Sequence, residues 1–118
     1  MAKSKAERRT DVLQGTLDLM VLQTLDTLGR LHGYGLARRI EQISEDALKL
    51  NEGTVYASLV RLQQRRCISA SWAVSENNRK AKFYAITKKG RRQLATETRN
   101  WERIAGVIGR LFRAAAPS

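Results

Sequence analysis

The sequence predicts a mainly helical α+β domain: three helices, a two-stranded hairpin and one long terminal helix, in the order of a winged helix-turn-helix. Three observations carry this. Apolar residues recur at three- and four-residue spacing over three short segments, the period changes to two between residues 68 and 86, and a helical stripe returns and runs to about Ala115.

The first helix is expected from Asp11, with Leu13, Leu17, Met20, Val21, Thr24, Leu25 and Leu28 as its core stripe and Gly29 as its C-terminal cap. Asp11, Asp18 and Asp26 read as outward solubility charges. The turn 30–35 carries Gly33 and Gly35, and His32 within it is expected to form a local hydrogen bond. A second helix follows to Ser44, with Leu36, Ile40 and Ile43 inward, and residues 44–50 form a polar connector. Asn51 is a good N-cap for a third helix ending near Arg65, whose stripe is Val55, Leu59 and Leu62. Ile68, Ala70, Trp72 and Val74 then alternate with the small residues Ser69, Ser71, Ala73 and Ser75 as a half-buried strand, and residues 80–86 return as its partner behind a basic tip. Cys67, between helix and strand, reads as a buried structural thiol. The last helix begins at Thr87, expected as its N-cap, and is about 40 Å long at 1.5 Å per residue. Its stripe is Leu94, Trp101, Ile104, Ala105, Ile108, Leu111 and Phe112, too long for so small a domain to cover. Leu94, Trp101, Ile104, Ile108, Leu111 and Phe112 are therefore expected to pair with a second copy. The expected division is a basic arm over residues 1–10, a winged helix over 11–86 and a dimerisation helix over 87–115.

The 118 residues carry a net charge of +11, and residues 51–92 hold ten positive against two negative side chains. Such concentration suits a polyanion better than an evenly solvated surface. One histidine and one cysteine leave too few soft ligands for a zinc site, and the single cysteine excludes an internal disulfide framework. No nucleophile stands beside a base, so no enzyme is expected, and no cofactor. With no secretory signal and no apolar run of about 20 residues, the expected location is the cytoplasm, away from membranes.

In a winged helix the third helix enters the major groove. Its outer face is expected to show Thr54, Ala57, Ser58, Arg61 and Arg65; small residues allow close approach, and arginine forks onto guanine or binds phosphate. Tyr56 has two readings, a hydroxyl on a phosphate or a ring packed beside the wing. Arg79, Lys80 and Lys82 arm the hairpin for the backbone or minor groove.

Four pieces of sequence resemble the PadR family of bacterial transcriptional regulators. They are Gln14-Gly15-Thr16-Leu17-Asp18, His32-Gly33-Tyr34-Gly35, Asn51-Glu52-Gly53-Thr54-Val55-Tyr56 with Leu59, Arg61 and Leu62, and the stretch from Arg79 to Thr87 followed by Gly90. The resemblance implies a homodimer, usually a repressor, joined by its C-terminal helices and in many members released from DNA by a small molecule near that seam. It places Thr54, Tyr56, Ser58 and Arg61 in the recognition helix and Arg79, Lys80 and Lys82 in the wing. The family commonly has proline where Ala57 stands; alanine keeps the helix. The short C-terminal region resembles the compact subgroup with one dimerisation helix. There Trp101 is either a contact for a flat aromatic effector or a ring packed between copies. The implied partners are double-stranded DNA with a two-fold-symmetric operator, a second copy and a small aromatic effector. The alternative is a basic architectural DNA- or RNA-binding protein without base-specific readout.

Overall fold

A computed structural model describes residues 14–115. The expected arm over residues 1–10, Asp11 and Leu13 lie outside the described residues. The elements are α1 (Gln14–Leu28), β1 (Leu31–His32), α2 (Gly33–Ile43), α3 (Glu52–Gln64), β2 (Ile68–Val74), β3 (Lys80–Ile86) and α4 (Lys88–Ala115). The chain is a winged helix-turn-helix with a long C-terminal helix.

Each helix boundary has a local cause. Gly29 takes φ +82 and donates its N–H to the Leu25 carbonyl, a left-handed stop that a side chain would strain. His32 caps α2, its Nδ1 accepting from the Gly35 N–H at 2.9 Å, so the expected local bond sets a helix start. The Asn51 side chain accepts from the Gly53 N–H at 2.7 Å at the start of α3. Thr87 caps α4, its hydroxyl accepting from the Gly90 N–H at 3.0 Å and donating to the Arg66 carbonyl at 2.8 Å.

Leu17, Val21, Leu22 and Leu25 of α1 pack on Leu36, Ala37 and Ile40 of α2 and on Val55, Leu59 and Leu62 of α3. Cys67, Ile68, Tyr84 and Leu94 close this core from the wing side. Cys67 is buried, as expected for a structural thiol. Burial holds the Tyr84 hydroxyl above the usual tyrosine range, with Tyr56 nearby a lesser cause. The folded state therefore keeps this proton more tightly than the unfolded chain does. The associated stability is complete below about pH 10 and is lost as pH climbs through the raised folded value. Alkaline denaturation is expected to move to higher pH in Tyr84→Phe, monitored by circular dichroism.

Several sequence expectations are corrected. The wing belongs to a three-stranded antiparallel sheet in the order β1-β3-β2, because Leu31 and His32 pair with Tyr84 and Phe83. Leu28 and Ile43 are exposed at the ends of their helices, past the reach of the core, and Leu22 is buried in their stead. Ile43 borders an apolar groove of about 530 Å³ with Leu19, Met20, Leu28 and Leu48. Trp72 and Val74 keep the parity of Ile68 but extend beyond the core into solvent. Asp18 is buried at 4% exposure, not an outward solubility charge. Leu94 is buried in this chain's own core, so it is not part of the free stripe of α4.

That stripe begins one turn and more later. Gly90 and Leu94 are the buried residues of α4, whereas Trp101, Ile104, Val107, Ile108, Leu111 and Phe112 are exposed by 40–73%. No helix among the described residues is long and apolar enough to cross a membrane. No group of three or more His, Cys, Asp and Glu among them is arranged for a metal ion.

Candidate nucleic-acid interface

The packing of α3 decides which of its side chains face outward. Val55, Ser58, Leu59 and Leu62 are buried. Thr54, Tyr56, Ala57 and Arg65 are wholly or partly exposed on the remaining surface. Ser58 is therefore corrected: it is fully buried and donates its hydroxyl to Asp18 Oδ1 at 2.5 Å, out of reach of a base edge. The same carboxylate takes Arg61 side-on, Nη2 to Oδ1 at 2.7 Å and Nε to Oδ2 at 3.3 Å. Arg65 approaches it at 3.8 Å but leaves most of its side chain in solvent. Arg61, Thr54 and Ala57 line an open concavity of about 570 Å³ with Asn51, Gly53 and Gln14.

The wing continues this surface. In the β2–β3 register Trp72 lies opposite Lys82, Val74 opposite Lys80 and Ala70 opposite Tyr84, so these side chains share one face. Lys80 stands 5.8 Å from the Trp72 ring and Lys82 5.9 Å from the Tyr84 ring. Tyr84, Lys82 and Tyr56 line one cleft with Tyr34 and Glu52, which joins the wing face to the start of α3. Tyr56 keeps 57% exposure there, so its ring borders the wing without being sealed by it. Ser75 and Asn78 close the tip, Asn78 in the left-handed region at φ 58, and Arg79 is exposed beside them. On the other side of the wing Arg30 lies over the Phe83 ring at 5.0 Å. Of the cations that open α4, Arg91 pairs with Asp26 at 3.3 Å, whereas Lys88, Lys89 and Arg92 are exposed.

Tyr56 on α3 thus shares a cleft with Lys82 on the wing, whereas Thr54 and Arg61 line a separate concavity on α3, and Arg79 stands at the wing tip. Trp101 is remote from this surface in sequence and element, on the free part of α4. Sequence reasoning missed Asp18 and Trp72. Their signals were present: residue 18 has the helical spacing of Val21, Leu22 and Leu25, and residue 72 has the strand parity of Lys80 and Lys82.

This fold recurs in known proteins. Residues 21–96 match the model of the PadR-like family of transcriptional regulators. The chain belongs to the PadR-like family. Among solved structures, a transcriptional regulator from Clostridium thermocellum superposes with a TM-score of 0.75 at 25% identity, over 86% of this chain and 97% of that one. A PadR-like transcriptional regulator from Bacillus cereus gives 0.73 at 26% identity, over 85% and 94%. Protein X of Lysinibacillus sphaericus is 27% identical over 100 residues, 85% of this chain and 91% of that protein. This PadR-like chain is accordingly a DNA-binding transcriptional regulator, and the family match spans α2, α3 and the wing but stops before Trp101.

Proposed function

We propose that this PadR-like regulator acts as a homodimeric, sequence-specific repressor in the cytoplasm, released from its operator by a small aromatic effector. The observation that carries the DNA reading is the junction of α3 and the wing, where Lys82 and Tyr56 line one cleft and Lys80 and Lys82 share a strand face with Trp72. In this reading α3 enters the major groove through Thr54, Ala57 and Arg61, while Arg65, Arg79, Lys80 and Lys82 hold phosphates. Trp72 supplies an apolar contact to the sugar edge beside the wing lysines. Dimerisation rests on the exposed apolar stripe from Trp101 to Phe112, and the effector reading on Trp101, 55% exposed within it. The proposed division is a winged helix through residue 86 and a dimerisation helix from residue 87.

Selection of bound fragments from random duplex DNA tests the proposal. The expected product is a two-fold-symmetric site with half-sites one or two helical turns apart. Recovery of fragments with no shared sequence would instead support an architectural role. Lys82→Ala is expected to weaken every duplex by a similar factor and to make the log–log salt slope shallower by about 0.9 for each protomer, checked by fluorescence anisotropy.

A further inference from the structure

Asp18 is an acidic side chain only 5% exposed, and it lies under the helix that this reading assigns to the major groove. A buried carboxylate requires compensating donors. Here it has the Ser58 hydroxyl at 2.5 Å and two N–H groups of Arg61, at 2.7 and 3.3 Å. The engaged groups of Arg61 are Nε and Nη2, one flank of the guanidinium. Five N–H donors sit in a rigid planar fork, so binding by the flank leaves the outer edge, Nη1 with the second hydrogen of Nη2, free. The Arg61 side chain is 21% exposed and borders the open concavity beside Thr54 and Ala57. The small Ala57 side chain leaves room for a base edge to approach.

We infer that Asp18 is a positioning residue for base recognition: it fixes Arg61 so that the outer edge of its guanidinium meets the two acceptors of a guanine in the major groove. This rests on the DNA reading above and adds a base and a geometry to it. An arginine fixed in this way loses little rotamer freedom on binding and has a defined direction, which suits bidentate recognition of guanine O6 and N7. An unrestrained arginine at the same position would reach phosphates as readily as bases. Asp18 also offsets one positive charge, so Arg61 adds little to indiscriminate attraction.

The test repeats the duplex selection with the full-length protein as wild type, Arg61→Lys, Asp18→Asn and Asp18→Glu. Wild type is expected to select guanine at one position of each half-site, by about 10- to 100-fold over other bases. Arg61→Lys keeps the charge but loses the fork, and should erase preference at that position alone. Asp18→Asn should erase preference at the same position while affinity for random duplex holds or rises. Asp18→Glu keeps the charge at a shifted place and should weaken the same preference, which preserves the test should Asp18→Asn fold poorly. A merely structural role would lower preference at all positions together, and that outcome overturns the inference. So would retention of the guanine in either Asp18 variant while Arg61→Lys loses it, or its retention in Arg61→Lys. Failure of the wild type to select any sequence would instead count against the sequence-specific reading on which this inference rests.

Discussion

Ile108→Glu combined with Leu111→Glu is expected to yield a folded monomer that binds the selected operator at least about 100-fold more weakly than wild type. Both side chains are exposed, at 44% and 63%, and neither belongs to the core, which ends on α4 at Leu94. The helix, wing and α3 should therefore keep their structure. Charge in the stripe makes its burial against a second copy unfavourable, because each carboxylate would have to leave water. DNA binding then falls through lost bivalency. Two half-sites held by one dimer raise the effective concentration of the second contact, and this factor commonly lies between about 100 and 10,000. Sedimentation velocity reads the mass and a gel shift reads the affinity. An intact dimer in the double variant would remove α4 as the seam, and a monomer with full affinity would remove the need for one.

Gly90→Ala is expected to be the most damaging glycine-to-alanine change among the described residues. A Cβ at this position would lie 2.0 Å from the Cys67 carbonyl oxygen and 2.8 Å from the Ile86 side chain. The carbonyl cannot yield easily, since it accepts the Thr87 N–H at 3.0 Å at the corner where α4 leaves the wing. The clash must be relieved by displacing α4 from the domain. Overpacking of this kind costs about 3 kcal/mol, which for a domain of this size lowers Tm by about 10–20 °C. Gly15→Ala is the control, because a Cβ there meets nothing within 4 Å. Thermal unfolding followed by circular dichroism should show a large loss in the first variant and none in the second. A wild-type Tm for Gly90→Ala would mean that α4 does not pack against the wing as described.

Asp18 and Ser58 depart from the sequence expectation for one physical reason: position in the apolar stripe outweighs residue type. Asp18 falls three, four and seven residues before Val21, Leu22 and Leu25, squarely in the stripe, although a charged side chain by itself predicts exposure. Ser58 falls between Val55 and Leu62 on the inner face of α3, although a hydroxyl on a recognition helix by itself predicts a base contact. The two departures are one structure, since a buried carboxylate and a buried hydroxyl can enter a core as partners. Trp72 and Val74 depart from expectation for a different reason. Strand alternation gives the face of a residue but not how far the core extends beneath it, and the hairpin outruns its support. For Leu94 the apolar stripe of α4 is continuous with Trp101 in sequence, and only the packing of the domain shows where the inner part ends. The two-residue β1 is too short to leave a periodic signal. By contrast the caps at Gly29, Asn51 and Thr87 and the basic wing were legible, because each depends on local chemistry that a few adjacent residues determine.

The most direct test of the central claim, that α3 and the wing form a cationic DNA-binding face presented twice by a dimer, is the salt dependence of binding to the selected duplex. With about four phosphates neutralised by each protomer, the logarithm of the association constant should fall with the logarithm of salt concentration at a slope near −7. A slope close to zero would contradict the account.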